Sequence, residues 1–467
     1  MIQAAAWRFR PLGFPMISLR NKIIACRFFG SQLELLLAWR DPAWLAGLIA
    51  DMRIKPFFTL WEMPSMSSTT PQFRWVMIML SAAALVSVTF GVRQVFGLFL
   101  VPISTALDGG VQIFSLAIAV QNLIWGLSSP FFGAAADRFG AWRVAAFGVL
   151  IYAVGLLSMA FVVTESGIFF GQILIGMGLG SAGISIAVGA VARAAPPEKR
   201  SLAMGLVTSF GSFGQFALVP VAQIMMNEHG WQFAIVILSA IVASMVALTL
   251  GMRVPAGGAR PLEGITQTAG SALRQATGSR DYILLTIGFF VCGFHITLVG
   301  THVPKYVIDR GLESWTAAAI LSLIGLFNIF GSLLSGYLST KISKKIILSS
   351  IYALRGVSII LFIFLPASNI NAFIFGASFG FLWLSTVPAT SGIVAHIFGT
   401  KYLGVLYGIV FLSHQVGSFF GAFLGGLFYD LYGSYDYAWY LAIALSVFAA
   451  IIHLPIKEEA VLRLKTE

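Results

Sequence analysis

The sequence predicts an all-α integral membrane fold, in which twelve transmembrane helices form two six-helix, pseudo-symmetric halves. Three observations predict it: long apolar stretches, short breaks that hold nearly all the charge, and an internal repeat. The 467-residue chain is 58% hydrophobic and only 10% charged, whereas an ordinary soluble domain carries about 25% charged residues. Apolar stretches of roughly 20 residues are long enough to cross a hydrocarbon core of about 30 Å as helices.

The apolar stretches indicate six helices, a polar break and six more helices. The first half (75–252) is predicted to contain helices at 75–104, 113–134, 143–163, 167–192, 201–226 and 232–252. The second half (282–456) is predicted to contain helices at 282–306, 315–340, 345–366, 371–397, 402–429 and 437–456. The break at 253–281 contains prolines, glycines and four arginines. It is therefore predicted to be a solvated loop between the halves, and 457–467 a short tail.

Residues 1–74 differ in composition from the rest of the chain. They are moderately apolar, without a sustained period, and contain scattered single arginines and lysines. One interpretation is a targeting or membrane-surface segment, although the order of a signal peptide is missing. The other is that translation begins at Met63 or Met66, so that the residues before that methionine are not translated in the native protein. We favour the second interpretation.

Basic residues are concentrated on alternate connections between the predicted helices. One set of connections and the C-terminal tail contain Arg138, Arg143, Arg193, Lys199, Arg200, Arg253, Arg260, Arg274, Arg280, Lys341, Lys344, Lys345, Lys401, Lys457, Arg463 and Lys465. The opposite connections hold only Lys305 and Arg310, together with several acids. Because positive charge is retained on the cytoplasmic side, both termini and the central loop are predicted to be cytoplasmic, with the protein in the cell inner membrane.

The two halves come into register when the chain is shifted against itself by 202 or 203 residues. The aligned pairs are Gly91-Val-Arg93 with Gly293-Phe-His295, Pro102 with Pro304, Gly133 with Gly336, Gly205 with Gly408, and Gly214 with Gly417. A nearly constant shift over separated helices indicates a structural repeat. Transporters built from such repeats bind their substrates at the interface between the repeats, near the bilayer midplane.

A motif follows the second predicted helix and reads Gly133-Ala-Ala-Ala-Asp137-Arg138-Phe-Gly140-Ala-Trp-Arg143. It closely resembles the signature of the major facilitator superfamily of transporters. The resemblance implies the major facilitator fold and a latch that holds the cytoplasmic side closed in the outward-facing state. In that latch, Asp137 would accept hydrogen bonds from the N-terminus of a neighbouring helix. The alternative is that Arg138 and Arg143 serve membrane topology alone.

The second half contains a degenerate copy of this motif. Gly336, Lys341, Lys344 and Lys345 correspond to its glycine and basic positions, but Thr340 stands where the first copy has the acid. The copy therefore preserves the basic character of the motif without its carboxylate.

Within the superfamily, the chain is similar to the bacterial monocarboxylate-transporter and oxalate:formate-antiporter-like group. The similar stretches are Phe90-Gly-Val-Arg93, Phe96-Gly97, Cys292-Gly-Phe-His295, Trp383-Leu-Ser-Thr-Val-Pro388 and Phe411-Leu-Ser-His414-Gln-Val-Gly417. The animal monocarboxylate carriers have an acid–arginine pair in the eighth helix. Here that helix offers Asn328 and no ion pair, so their substrate and coupling rules do not transfer residue by residue.

The deep cations of the predicted helices are Arg93 and Arg355, and no Asp or Glu falls near the middle of any helix. An ionisable residue inside a membrane span is a functional-site candidate by default. A buried cation is strongly destabilised unless water or a ligand compensates its charge. The simplest compensation is a substrate that carries its own negative charge.

The predicted substrate-binding residues are Arg93, His295, His414, Asn122 and Asn328. A guanidinium holds a carboxylate through two parallel hydrogen bonds, which favours Arg93 as the anion site. Alternatively, Arg93 caps backbone carbonyls at a bend near Gly91 and Gly97. His295 is a candidate for proton coupling or for neutral packing, and His414 for lining the site or for packing. Arg355 is expected to be structural.

The leading functional hypothesis is secondary active transport of a small organic anion, first of all a monocarboxylate, by proton symport or anion exchange. A drug or metabolite exporter is the alternative, but the fifth helix lacks the Gly-x-x-x-Gly-Pro run of many exporters. A non-transporting membrane sensor would be expected to carry an added soluble domain. The two cysteines, Cys26 and Cys292, indicate no metal site, and we expect no cofactor, no enzymatic activity and no nucleic-acid partner. One chain holds a complete two-half pathway, so a monomer surrounded by lipid is expected to be functional.

Overall fold

A computed structural model describes residues 71–196, 198–253, 269–399 and 402–459. Within these residues all regular structure is helical, and twelve segments are long and apolar enough to cross a membrane. The predicted fold class is therefore confirmed. Most of the N-terminal segment 1–74, much of the central loop 253–281 and the end of the tail 457–467 lie outside the described residues.

The helix bounds agree with the predicted spans to within a few residues in most cases. The first half consists of α1 (Pro71–Val95), α2 (Leu100–Ala106), α3 (Val111–Phe139), α4 (Ala141–Phe161), α5 (Glu165–Ala182), α6 (Ile184–Ala194), α7 (Arg200–His229) and α8 (Trp231–Thr249). The second half consists of α10 (Arg280–Asp309), α11 (Ser314–Leu338), α12 (Lys344–Phe364), α13 (Asn369–Leu382), α14 (Thr386–Phe398), α15 (Leu403–Tyr432) and α16 (Asp436–His453). A short helix, α9 (Ala269–Thr277), lies in the connection where we expected only a loop.

The fourth and tenth predicted helices are each broken near the middle. The fourth is divided into α5 and α6 around Gly183, and the tenth into α13 and α14 around 383–385. These breaks are related by the same shift of about 203 residues, so they belong to the repeat. Irregular backbone at membrane depth needs replacement hydrogen bonds. At the second break, Arg355 supplies them to the carbonyls of Leu382 and Trp383.

Large apolar side chains cover much of the outer surface of the helices. Phe161, Ile370 and Phe364 are exposed over 74%, 73% and 67% of their surface, respectively. In a soluble protein such a surface would be an association or aggregation site. Around membrane-spanning helices it is the surface that contacts lipid.

The two halves contact each other at one end of the helix bundle, which we name the cap end. There Asp430, near the end of α15, accepts hydrogen bonds from the backbone N–H groups of Val111 (2.9 Å) and Gln112 (2.8 Å) at the start of α3. Gly97 follows α1 at the same end and packs directly on the carbonyl oxygen of Gly300 in α10, where a Cβ atom would overlap it. The halves are therefore closed against each other at the cap end.

At the opposite end, which carries the Gly133–Arg143 motif and is named the motif end, the halves are apart. Among the described residues, and apart from the adjacent backbone of its own helix, no heavy atom lies within 4 Å of a Cβ position built on any of four glycines at this end: Gly133, Gly205, Gly404 and Gly408. In the middle of the bundle, α11 still contacts α7, because Ser322 Oγ donates to the Phe216 carbonyl at 2.8 Å. The arrangement is closed at one end and open at the other.

Candidate functional site

A cavity lies between the two halves at mid-depth. The space that protein atoms leave unfilled in and around it, including space open to solvent, is about 310 Å³. It is formed by α1, α3, α10 and the break after α13. Its polar and aromatic lining residues include Arg93, Gln94, Gln121, Thr297, Thr301 and Trp383. This is the position at which the internal repeat predicts a substrate site.

Arg93 lies on the cavity and is oriented by one neighbouring amide. Its Nη2 donates to Asn122 Oδ1 at 2.7 Å, and Asn122 Nδ2 in turn donates to the Ile118 carbonyl at 2.8 Å. The guanidinium also lies over the Trp125 ring, with its carbon 5.1 Å from the ring centroid. None of the ion pairs among the described residues includes Arg93. Its charge is held by an amide and a ring, not by a carboxylate.

Five buried polar atoms of cavity-lining residues have no hydrogen-bond partner in the described part of the chain. They are Arg93 Nε, Gln94 Nε2, Gln121 Nε2, Gln121 Oε1 and Thr297 Oγ1. Buried polar atoms are nearly always paired, and each unpaired group costs about 1–3 kcal/mol. Such a concentration of unpaired atoms on one cavity indicates that a polar ligand or water completes their hydrogen bonds.

An aromatic layer, formed by Phe90, Trp125 and Phe411, lies about one helical turn from Arg93 toward the motif end. The ring centroids of Phe90 and Trp125 are 5.8 Å apart, those of Trp125 and Phe411 are 5.5 Å apart, and both pairs are edge-to-face. Phe90 and Trp125 come from the first half and Phe411 from the second. The layer therefore separates the cavity from the open motif end.

The predicted site residue His295 is buried on a different face of α10. Its Nε2 lies 2.9 Å from the Ala442 carbonyl and 3.4 Å from Ser446 Oγ, both in α16. His414 lies beside the aromatic layer, nearly parallel to Phe411 at a centroid distance of 5.8 Å. Neither histidine is among the cavity-lining residues.

Asn328 bridges the two halves instead of facing the cavity. Its Nδ2 donates to Ser212 Oγ in α7 at 2.8 Å, and its Oδ1 accepts from the Leu384 N–H at 2.9 Å in the break after α13. Of the five predicted residues, the structure brings together Arg93 and Asn122. The other three are placed on neighbouring helix interfaces.

Five of the polar and aromatic cavity residues were absent from our predicted site: Gln94, Gln121, Thr297, Thr301 and Trp383. Gln94 is adjacent to Arg93 in the sequence, and Gln121 is adjacent to Asn122, so paired polar residues within a span were an available signal. Thr297 gave no comparable signal, because a threonine hydroxyl in a helix commonly bonds to its own backbone.

The predicted latch residues are found at the motif end, with Asp137 paired inside its own half. Asp137 Oδ1 lies 3.1 Å from Arg193 Nη1 of α6, and both side chains are partly exposed. Gly140 joins α3 to α4 with φ at +91°, a conformation that favours glycine. Arg143 donates to the Phe139 carbonyl at 3.1 Å, and Arg138 lies over the Phe139 ring. The latch itself, which belongs to another conformation, stays a prediction.

The degenerate copy of the motif obtains a carboxylate from the C-terminal residues. Glu458 accepts hydrogen bonds from Ser343 Oγ and from the Lys345 N–H, each at 2.7 Å, and Lys344 Nζ lies 3.5 Å away. Burial opposes ionisation of Glu458, but these donors and the lysine charge together hold its pKa below the usual value. A carboxylate therefore lies beside the basic residues of this copy, although Thr340 supplies none.

Arg355 is completely buried in the second half. Its Nε and Nη2 donate to the Leu382 carbonyl at 3.2 and 2.8 Å, and Nη2 also contacts the Trp383 carbonyl and Cys292 Sγ. Because Trp383 lines the cavity, the contact of Arg355 with the Trp383 carbonyl stabilises the cavity wall from outside the cavity. Within the described residues, no group of three or more His, Cys, Asp or Glu is placed to hold a metal ion.

A family model described as Major Facilitator Superfamily matches residues 79–387 of the chain, about two thirds of its length. The chain belongs to the Major Facilitator Superfamily. This confirms the family predicted from the Gly133–Arg143 motif. The proteins to which the chain is similar are also transporters.

The chain is similar over most of its length to several transporters of this superfamily. An uncharacterized MFS-type transporter, YcxA, of Bacillus subtilis (strain 168) is 24% identical over 83% of this chain and 96% of its own length. Monocarboxylate transporter 13 of Rattus norvegicus is 27% identical over 78% of this chain and 85% of its own. The oxalate:formate antiporter of Oxalobacter formigenes is 25% identical over 75% of this chain and 84% of its own length.

A solved structure confirms the fold of this superfamily member. It is a bacterial homolog of the human lysosomal transporter Spinster, in an inward-facing and unoccupied conformation. The TM-score is 0.67 at 14% sequence identity, and the match covers 81% of this chain and 96% of that one.

Proposed function

We propose that this protein is a secondary active transporter that moves a small organic anion, first of all a monocarboxylate, across the cell inner membrane by alternating access. One observation carries the proposal: Arg93 lies on a cavity between the halves, without a carboxylate partner in the described part of the chain. A bound carboxylate would supply the missing negative charge and accept hydrogen bonds from the unpaired donors. Relatives that are a monocarboxylate transporter and an oxalate:formate antiporter support the same substrate class.

The coupling mode is proton symport or anion exchange, and the cavity favours exchange. None of the described cavity-lining residues is an Asp, Glu or His, so no proton acceptor with an ordinary pKa near neutrality lies beside Arg93. When the substrate leaves, the guanidinium charge is no longer neutralised in a largely buried site. Return of the carrier is then easier with a second anion bound than without one.

The loop charges support an orientation with the motif end and both termini in the cytoplasm. In that orientation the structure is open to the cytoplasm only as far as the aromatic layer, and the Asp430 contact closes the periplasmic side. One chain supplies the whole cavity, which is consistent with a functional monomer embedded in lipid.

The test is uptake of radiolabelled lactate, pyruvate, formate and oxalate into proteoliposomes by wild type, Arg93→Lys and Arg93→Ala. We expect saturable uptake by wild type and at least a tenfold loss in Arg93→Ala, since a charge-assisted hydrogen bond contributes about 1.5–3 kcal/mol. Arg93→Lys keeps the charge but loses the planar fork, so an intermediate loss is expected. The control is Arg280→Ala, because Arg280 is exposed at the start of α10.

Two conditions separate exchange from symport. Preloading the vesicles with anion accelerates uptake if the protein is an exchanger, and an imposed proton gradient accelerates uptake if it is a symporter. The proposal is wrong if no carboxylate is taken up, or if Arg93→Ala transports as well as wild type. An exporter of drugs or metabolites would then be the next hypothesis.

A further inference from the structure

We infer that Gln121 and Thr297 form a polar subsite that binds a hydroxyl group of the substrate, so that hydroxy-substituted small carboxylates are preferred over unsubstituted ones. This inference rests on the proposed function and adds a substrate subclass to it. It depends on the chemical types of the unpaired atoms, not merely on their number.

The unpaired atoms of the cavity cannot all be satisfied by a carboxylate. Arg93 Nε and Gln94 Nε2 are donors, and carboxylate oxygens accept from both. Gln121 Oε1 is an acceptor, and an ionised carboxylate has no hydrogen to donate to it. A hydroxyl group donates to Gln121 Oε1 and at the same time accepts from Gln121 Nε2 or from Thr297. Because both ends of the Gln121 amide are unpaired, the conclusion is the same for either orientation of the amide.

The positions of the two residues suit a second contact close to the anion site. Gln121 immediately precedes Asn122, the residue that orients Arg93. Thr297 approaches the same cavity from α10 in the other half. Gln121 is fully buried and Thr297 is 3% exposed, so neither can turn to bulk water without helix movement. A substrate held by Arg93 and Thr297 contacts both halves, and release from one half accompanies their separation.

The experiment compares anions that differ by one hydroxyl group at equal charge: glycolate with acetate, and lactate with propionate. Wild-type proteoliposomes are expected to prefer each hydroxy acid by at least tenfold in uptake at low concentration, since sites that bind a substrate hydroxyl reject analogues lacking it. Gln121→Met keeps the length of the side chain without its polar atoms. It should reduce the preference to about twofold or less, mainly by slowing glycolate and lactate. Thr297→Val should also reduce the preference for the hydroxy acids.

The matched control is Gln172→Met. Gln172 is equally buried, but it lies in α5 and donates to Met159 Sδ of α4 at 3.5 Å, away from the cavity. It should keep the wild-type preference. Size-exclusion profiles establish that each variant is folded, and Thr297→Val carries the test if Gln121→Met does not fold.

Equal uptake of glycolate and acetate by wild type, with uptake still dependent on Arg93, would overturn the inference and leave the proposed function standing. Water would then be the partner of Gln121. An unchanged preference in both folded subsite variants would also overturn it. Absence of any carboxylate uptake would instead contradict the proposed function, on which the inference rests.

Discussion

Arg93 and Arg355 lie deep within the described helices, and their surroundings give them different roles. Arg93 aligns with His295 in the repeat, whereas Arg355 aligns with Tyr152, so each half has its cation on a different helix. Arg93 has an amide partner and a ring on an otherwise open cavity. Arg355 is bound by carbonyls at the C-terminal end of α13, where the helix dipole favours a cation. The charge of Arg93 is available to a substrate, and that of Arg355 is used by the fold.

We predict that Arg355→Met destabilises the protein by about 3 kcal/mol, because carbonyls at the break after α13 lose charge-assisted hydrogen bonds. Displacement of Trp383 should also raise the KM for the transported anion. Thermal unfolding in detergent and uptake kinetics measure the two effects. Arg280→Met, on an exposed side chain, is the control, and an unchanged melting temperature in Arg355→Met would refute the assignment.

At the scale of elements, α3 and α15 form a pair that packs across the two halves. The helices are antiparallel, and each has an aspartate two residues before its end: Asp137 in α3 and Asp430 in α15. Asp430 caps the N-terminus of α3, while Asp137 is paired with Arg193. The latch was predicted between Asp137 and the N-terminus of a neighbouring helix, and a contact with the N-terminus of α15 would be the equivalent arrangement at the motif end.

We predict that Asp430→Ala weakens closure at the cap end, because the first N–H groups of α3 lose a charged acceptor worth about 1.5–3 kcal/mol. Spin labels at Thr105 and Tyr432 report the separation of the halves by double electron–electron resonance. A second, longer distance should appear in the variant. Asp309→Ala is the control, because Asp309 pairs with Lys305 on its own helix. Identical distance distributions in wild type and Asp430→Ala would contradict the prediction.

At the scale of the whole molecule, the two halves meet at the cap end and separate at the motif end. The cavity lies between the Asp430 contact and the aromatic layer of Phe90, Trp125 and Phe411. Movement of a substrate toward the motif end requires the rings to part, and movement toward the cap end requires the α3–α15 contact to break. Alternation between these two changes is the simplest transport cycle that this arrangement permits.

Orientation in the membrane is tested by single introduced cysteines, in a background with Cys26 and Cys292 replaced by serine. Tyr432→Cys at the cap end should react with a membrane-impermeant maleimide in intact cells. Thr340→Cys at the motif end should react only in inverted vesicles, because basic connections are retained in the cytoplasm. The reverse labelling pattern would invert the proposed topology.

Hydropathy, loop charge, the repeat and the Gly133–Arg143 motif were sufficient to predict twelve spans, two halves and the superfamily. These signals are local or periodic, and the bilayer imposes the same length and polarity on every span. They can therefore be recognised in the sequence without knowledge of how the helices pack. The position of Arg93 within a span was also predictable, and it made Arg93 a candidate site residue, since a cation within an apolar span is costly wherever the helix is placed.

Tertiary packing determined which residues line the cavity. Arg93 lines the cavity and is hydrogen-bonded to Asn122, but His295 faces α16 and Asn328 binds α7. Thr297, two residues from His295, reaches the cavity instead. Two residues along a helix correspond to a rotation of about 200°, so a site residue and a packing residue can be near neighbours in the sequence. The rotation of each helix, set by contacts with helices far away in the chain, selects between them.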